Sequence, residues 1–273
     1  MRALAYSLWC IHTLLESLPV SSSGHMTLIT NFLQKNTFSK YNRSRILLTE
    51  QIDHLMHVTT AWVLTLFLCI NWWPALSAFP QIFARLSNIF LYTLIGDTIT
   101  VMLYFLLKYT RIKQYFPLWA GFLVTSVLLF SLFIVPAGSI TTFTMTSAAL
   151  LGLVQGLALL PGISRLASTY VAGCWLGLTP STSFIWSCTL QLPLVLAAVS
   201  AGIYSLYTQT NSVNNYFTKL TYTQLIGLVF CTLLSFGLLW IIYYAAYMNV
   251  FAYSGFYTAF MSLLAYFFVM RLS

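Results

Sequence analysis

Residues 16–25 read Glu-Ser-Leu-Pro-Val-Ser-Ser-Ser-Gly-His, and they interrupt an otherwise apolar run over 3–33. Residues 160–165 read Leu-Pro-Gly-Ile-Ser-Arg and interrupt a second apolar run, over 146–178. Proline and glycine end helices, so each half-run is too short to cross a hydrocarbon core of roughly 30 Å. Non-helical backbone is tolerated at membrane depth where it is buried in protein or lines a wet cavity. The pattern therefore predicts two re-entrant helical hairpins, broken at 19–24 and at 161–165.

The composition is that of a membrane protein rather than a soluble domain. Of the 273 residues, 59% are hydrophobic and 6% are charged, and the mean hydropathy is +0.84. Soluble domains carry about a quarter charged residues. We therefore expect one all-α polytopic membrane domain over 1–273. Six further runs are long and apolar enough to be transmembrane helices: 52–72, 87–107, 118–136, 183–207, 222–244 and 251–271.

The basic residues predict an orientation. The net charge of +8 does not indicate a nucleic-acid partner, because the basic residues lie in short loops between apolar runs. With six spans and two hairpins, ten of the twelve Lys and Arg residues fall on one side; Arg85 falls opposite and Arg165 lies within the second hairpin. Cytoplasmic loops carry an excess of Lys and Arg. Both termini are predicted to be cytoplasmic.

The two broken runs resemble each other. Pro19 aligns with Pro161 at an offset of 142 residues, about half the chain, and Ser22 then aligns with Ser164. Each half, about 1–136 and 146–273, is a hairpin followed by three predicted spans. Three is odd, so the second half enters the membrane from the opposite face. Such an inverted-topology repeat places its site where the two hairpin tips meet.

Ionisable residues are few, with four acidic residues and four histidines in the whole chain. Inside a membrane such groups are costly and mark a function by default. His12 and Glu16 are four residues apart and share a helix face. The serine turn that follows Pro19 offers hydroxyls and backbone N–H groups to an anion, and it leads into His25. The alternative is that Glu16 and His25 pair only to fix the hairpin.

Arg165 stands well inside an apolar segment and needs an anionic partner. Its planar guanidinium fits a phosphate through two parallel hydrogen bonds. The alternative is a structural salt bridge to Glu16. A hydroxyl-rich set around one cation favours phosphate over a carboxylate; that set is Ser21, Ser22, Ser23, Ser164, Ser168 and Thr169.

A second polar cluster opens the first predicted span. Glu50 and Asp53 lie near a helix start, where their alternative role is to complement the helix dipole. Asp53 and His57 are four residues apart and project to one face, so both are predicted to bind substrate. Asp97 lies in an apolar run, and its partner cannot be identified from the sequence.

The motifs at 16–25 and 160–165 resemble signatures of the bacterial undecaprenyl-diphosphate phosphatase family, of the bacitracin-resistance type. Weaker similarity covers the rest of the chain. The resemblance implies six spans with two re-entrant hairpins, and removal of the terminal phosphate of a C55 polyprenyl diphosphate with a divalent cation, Mg²⁺ or Ca²⁺. It puts Ser22 and His25 on catalytic positions, Glu16 on the surviving member of a paired acidic motif, and Arg165 on the pyrophosphate-binding arginine.

The chain departs from that pattern at several positions. His12 stands where the family has Glu or Gln, which removes an oxygen ligand suited to Mg²⁺. Leu166 follows Arg165 where the family has serine, and Thr258 replaces an arginine. His12 leaves a catalytically degenerate homologue as one alternative to an active phosphatase. The inverted repeat with broken hairpins leaves a polyprenyl-phosphate transporter as another.

The expectations are these. The resemblance implies a hydrolase of the bacterial inner membrane that acts on undecaprenyl diphosphate within membrane lipid. Its expected roles are in peptidoglycan synthesis and bacitracin resistance. We expect no nucleic-acid partner, and a homodimer is left open. Catalysis is assigned to four residues: Glu16, Ser22, His25 and Arg165. Substrate binding is assigned to Ser21, Ser23, Gly24, Ser164, Thr169, Asp53 and His57. The cofactor is assigned to Glu16 and His12, with Glu16 as the metal ligand.

Overall fold

The computed structural model describes residues 2–36, 42–76, 82–136, 138–208, 222–248 and 250–270. Within these ranges the chain is helical and forms no β-sheet, as the sequence predicts; one isolated bridge joins Ile140 to Leu178. The helices are α1 (Arg2–Glu16), α2 (Ser22–Asn36), α3 (Asn42–Leu76), α4 (Ile82–Thr110), α5 (Ile112–Tyr115), α6 (Leu118–Ser131), α7 (Met145–Leu157), α8 (Arg165–Trp175), α9 (Pro180–Thr208), α10 (Tyr222–Tyr247) and α11 (Ser254–Met270).

Five described segments are long and apolar enough to cross a membrane. Each overlaps one of the predicted spans. They are Met56–Pro74, Ile82–Thr110, Pro180–Tyr204, Tyr222–Tyr247 and Phe251–Phe268. Large apolar side chains on α4 and α10 face outward, with Phe90 70% exposed and Phe230 63% exposed, as expected of surfaces that contact lipid. The chain is a multi-pass membrane protein.

The remaining predicted span, 118–136, contains a shorter helix in the structure. Helix α6 has 14 residues, and at 1.5 Å per residue it is about 21 Å long. Tight turns follow it, in which the N–H of Leu132 bonds to the carbonyl of Leu129 and that of Phe133 to Phe130. Pro136 lies just beyond and cannot continue a helix. Length alone therefore does not identify α6 as a span.

Both predicted helix breaks are present. Helix α1 ends at Glu16 and α2 begins at Ser22, while α7 ends at Leu157 and α8 begins at Arg165. We call residues 17–21 the first break and residues 158–164 the second break. Each contains one residue with left-handed backbone, Ser21 at φ +62° and Gly162 at φ +86°. The breaks set Glu16 at the end of one helix and Arg165 at the start of another.

An aromatic and aliphatic core holds the helices around the second break. Phe67 of α3, Tyr170 of α8, Phe184 of α9 and Leu239 of α10 are almost completely buried. Phe67 and Phe184 meet edge to face with ring centroids 5.8 Å apart. Large buried rings dominate such cores through the apolar area they remove from solvent. The core fixes α8, and with it Arg165, against the long helices.

Candidate functional site

Glu16 is the acceptor at the centre of a buried polar cluster. Its side chain is 2% exposed. The hydroxyl of Ser22 donates to Glu16 Oε1 at 2.6 Å, and the amide of Gln191 donates to Glu16 Oε2 at 3.2 Å. A short hydrogen bond to a carboxylate is a strong one. The carboxylate is therefore held from α2 on one side and from α9 on the other.

Three cationic or potentially cationic groups face the same carboxylate oxygen. Glu16 Oε1 lies 3.8 Å from His12 Nε2, 3.8 Å from His57 Nδ1 and 3.6 Å from Arg165 Nη2. A buried carboxylate is costly without such compensation. The Arg165–Glu16 pairing that the sequence left as an alternative is thus present. It joins residues from the two breaks.

The first break presents its serines through a cap on α2. Ser21 precedes the helix, and its hydroxyl accepts a hydrogen bond from the N–H of Gly24 at 3.3 Å. Ser and Thr at this position satisfy N–H groups that have no partner within the helix. Ser22 and Ser23 follow in the first turn, where the helix dipole favours negative charge. All three serines line one pocket with Glu16 and Arg165.

Helix α8 is capped in the same way, by a serine of the second break. Ser164 Oγ accepts from the N–H of Ala167 at 3.3 Å, so this hydroxyl caps α8. The N–H of Ser164 donates to Thr125 Oγ1 at 3.0 Å, and Thr125 donates on to the carbonyl of Gly162 at 3.3 Å. These bonds tie the break to α6. They leave the guanidinium of Arg165, at the first position of α8, as the charged group of the break.

Gly24 and Gly162 lie where the two breaks meet. A Cβ built on Gly24 would come within 3.1 Å of Gly162 Cα and 2.7 Å of Phe122 Cζ. Gly24 was predicted to bind substrate, and what the structure gives it is a close backbone approach. The convergence of the two breaks, which the repeat predicts, is thus direct.

His25 lies behind the serine turn. Its Nδ1 is 2.8 Å from the carbonyl oxygen of Ser21, and its Nε2 is 2.7 Å from the hydroxyl of Tyr257 on α11. The two rings are parallel, with centroids 5.6 Å apart. Among the described residues no ion pair joins Glu16 to His25. Glu16 contacts Ser22 instead, so the pairing of Glu16 with His25 that the sequence left as an alternative is not seen in these parts of the chain.

Thr169 and Ser168 were also predicted for the site, and both lie outside the pocket lining. Thr169 is buried, and its hydroxyl donates to the carbonyl of Arg165 at 2.8 Å, within α8. Ser168 is also buried, and its hydroxyl has no hydrogen-bond partner among the described residues. Asp53 lies on α3, and its side chain is outside the described residues.

The site also contains residues that were not selected from the sequence. Gln191 lies two positions before Pro193 in α9, and Tyr257 lies on α11. An amide inside an apolar run is a usable signal because it needs a buried partner. Asp97, by contrast, belongs to a separate contact in which Gln155 donates to its Oδ1 at 3.2 Å.

Comparisons with known proteins place this geometry in a family. The family model described as bacitracin resistance protein BacA matches residues 5–264. A protein of Baumannia cicadellinicola subsp. Homalodisca coagulata named undecaprenyl-diphosphatase is 27% identical over 212 residues, which are 74% of this chain and 75% of that protein. Proteins with the same name from Geotalea daltonii and Corynebacterium glutamicum strain R are 31% identical over 205 residues and 32% identical over 209 residues. These two matches cover 69% and 72% of this chain, and 70% and 66% of the respective relatives. The chain, with its carboxylate and its arginine brought together from two helix breaks, belongs to the bacitracin resistance protein BacA family.

Proposed function

We propose that this chain hydrolyses undecaprenyl diphosphate to undecaprenyl phosphate and phosphate. The relatives quoted above are named for this activity. The observation that carries the proposal in this chain is the meeting of Glu16, Ser22 and Arg165 in one pocket. In the bacterial inner membrane this reaction recycles the lipid carrier for peptidoglycan synthesis, and it is the basis of bacitracin resistance in the family.

The pocket carries the groups that bind a diphosphate. The guanidinium of Arg165 can take two phosphate oxygens at once. Helices α2 and α8 both begin at the pocket, so the positive ends of both helix dipoles would favour an anion bound there. Charge that develops on the phosphoryl oxygens during transfer is stabilised by such fixed donors. The lipid tail would leave the pocket along the apolar helix faces.

Ser22 supplies the attacking oxygen, and its hydrogen bond to Glu16 provides the proton acceptor. Glu16 takes the proton of the Ser22 hydroxyl, 2.6 Å away, while Ser22 Oγ attacks the terminal phosphorus. The bond from that phosphorus to the bridging oxygen breaks, and undecaprenyl phosphate leaves. Water then hydrolyses the phosphoserine to release phosphate. Phosphate trapped on Ser22 during turnover would support this route. Normal turnover by a Ser22→Ala variant would assign the attack to water instead.

A hard divalent cation fits this part of the chain poorly. Mg²⁺ and Ca²⁺ prefer six or more oxygen ligands. The described groups that face Glu16 Oε1 bring two imidazoles and one guanidinium. We therefore assign no step of the reaction to Mg²⁺ or Ca²⁺, whose presence stays a prediction.

Helix packing supports the inverted repeat that the sequence predicts. If the two halves correspond, α1 matches α7 and α4 matches α10. Helix α1 packs on α10, and α7 packs on α4. Ser235 of α10 donates to the carbonyl of Thr13 in α1 at 2.8 Å, and Thr100 of α4 donates to the carbonyl of Gly152 in α7 at 2.9 Å. These equivalent contacts favour two re-entrant hairpins and a sixth membrane helix at α6. The placement of both termini in the cytoplasm stays a prediction from the positions of the basic residues.

The test is phosphate release from C55 diphosphate by the purified protein. Wild type is assayed with Mg²⁺, Ca²⁺, Mn²⁺, Co²⁺ and Zn²⁺ in turn, beside Ser22→Ala and Arg165→Ala. We expect release by wild type with at least one metal and its loss in Arg165→Ala. Wild-type protein that is inactive with every metal would contradict the enzyme proposal. Transfer of the lipid headgroup across liposomes without release would favour the transporter alternative.

A further inference from the structure

We propose that His12, Glu16 and His57 hold a transition-metal ion of the Zn²⁺ class. The three residues offer one ligand atom each, and these atoms all lie within 4.8 Å of one another. They come from α1 and α3, whereas Ser22 and Arg165 approach the same carboxylate oxygen, Glu16 Oε1, from α2 and α8. A carboxylate oxygen has two lone pairs, so Oε1 can accept the Ser22 hydrogen bond and bind an ion at the same time. Binding of the ion does not depend on the proposed function, whereas its use in catalysis rests on that function.

The ligand atoms determine which metal this site prefers. Two imidazole nitrogens and one carboxylate are the ligands of many catalytic zinc centres, and imidazole also suits copper, iron and nickel. Oxygen donors alone suit Mg²⁺ and Ca²⁺. His12 therefore changes which ion this site prefers, rather than only lowering the affinity of the site for Mg²⁺. That change is legible in the donors themselves.

The distances permit one shared ion. Ligand atoms about 2.0–2.1 Å from a tetrahedral zinc lie about 3.4 Å from one another. Glu16 Oε1 is 3.8 Å from His12 Nε2 and 3.8 Å from His57 Nδ1, so these two edges close after a shift of a few tenths of an ångström. The imidazole rings meet at 82° with centroids 4.7 Å apart, so they do not stack face to face. All three side chains are at most 11% exposed.

The location gives the ion access to substrate. Three protein ligands leave at least one coordination position, which is the arrangement of catalytic rather than structural zinc. Glu16 is at once a ligand and a wall of the pocket that Ser22 and Arg165 line. A phosphate oxygen bound beside Arg165 is therefore the natural fourth ligand.

Cobalt binding tests the site without any assay of turnover. Full-length protein with a tag that lacks histidine is stripped with a chelator and titrated with Co²⁺, and the bound metal is also counted by mass spectrometry. We expect one ion per chain and a visible absorption of four- or five-coordinate cobalt that Zn²⁺ displaces. His12→Gln and His57→Gln should each weaken Co²⁺ binding at least tenfold. His12→Glu should lower the preference for Co²⁺ over Mg²⁺.

His25→Gln is the matched control. His25 is also buried, but it bonds to Ser21 and Tyr257, so this variant should bind Co²⁺ as wild type does. Gel filtration and thermal unfolding verify that each variant is folded. Absence of stoichiometric metal in folded wild type, or unchanged Co²⁺ affinity in both His12→Gln and His57→Gln, would overturn the proposal. A 1:1 cobalt complex in a protein that releases no phosphate would instead count against the proposed function alone.

Discussion

The two helix breaks have similar backbones but opposite chemistry. The first break is flanked by a carboxylate and three serines, and its left-handed residue is Ser21. The second break is followed by a guanidinium, and its left-handed residue is Gly162. Gly24 and Gly162 bring the two into contact. Each break therefore supplies one sign of charge, and the pocket is complete only where they meet.

The breaks are also held in place by different sets of contacts. Side-chain hydrogen bonds next to the first break join Gln191 to Glu16 and Tyr257 to His25. The second break is held by its hydrogen bonds to Thr125 and by close backbone packing, because a Cβ on Gly121 would lie 2.0 Å from the carbonyl oxygen of Pro161. Changes at the first break should thus act mainly on chemistry. Changes at the second should act on folding unless they touch Arg165.

Removal of one charge from the pair should have the largest effect on activity. We expect Arg165→Ala and Glu16→Gln each to lower phosphate release by on the order of 10³-fold, because fixed charges in a water-poor site stabilise the transition state. The measurement is kcat/KM for C55 diphosphate. Arg111→Ala, which removes an exposed arginine, is the control and should keep wild-type activity. Turnover above a tenth of wild type in Arg165→Ala would contradict the assignment.

Gly121→Ala should produce the largest loss of stability. The added methyl group meets backbone rather than a flexible side chain, so we expect a cost of about 3 kcal/mol. Gly237→Ala is a matched control on α10, since a Cβ there has no neighbour within 4 Å. Thermal unfolding in detergent compares the two. Equal unfolding temperatures for both variants would show that the second break does not depend on this close packing.

Ser21 should respond differently to alanine and to glycine. Alanine removes the cap on Gly24 and retains the left-handed strain, so we expect a loss of about 1 kcal/mol. Glycine removes the same cap but relieves the strain at φ +62°, so its effect should be only a few tenths of a kcal/mol. Denaturation of both variants measures the difference. A glycine variant less stable than the alanine variant would contradict the role of the backbone here.

Local features of the fold were predictable, and long-range contacts were less so. Proline, glycine and serine located both breaks, and the rarity of charge identified Glu16 and Arg165. The end of α6 at Ser131 was missed because an apolar run does not reveal where tight turns replace a helix. The hydroxyl of Ser164 caps α8 in the wall of the pocket, a role that the sequence pattern does not reveal, and substrate binding by Ser164 stays a prediction.

The contact between His57 and Glu16 was also beyond the sequence. Spacing relates His57 to Asp53 on its own helix, whereas its proximity to Glu16 depends on how α3 packs on α1. Gln191 reaches Glu16 from α9 in the same way. Sequence periodicity reports which residues share a face, and tertiary packing decides which faces meet.

A double-mutant cycle tests most directly whether the two breaks form one site. Glu16→Gln, Arg165→Lys and the double variant are compared with wild type by kcat/KM for C55 diphosphate. Because Glu16 Oε1 and Arg165 Nη2 lie 3.6 Å apart, their effects should be strongly coupled. The double variant is expected to lose only a few-fold more activity than the worse single variant. Losses that multiply in full would contradict a shared site.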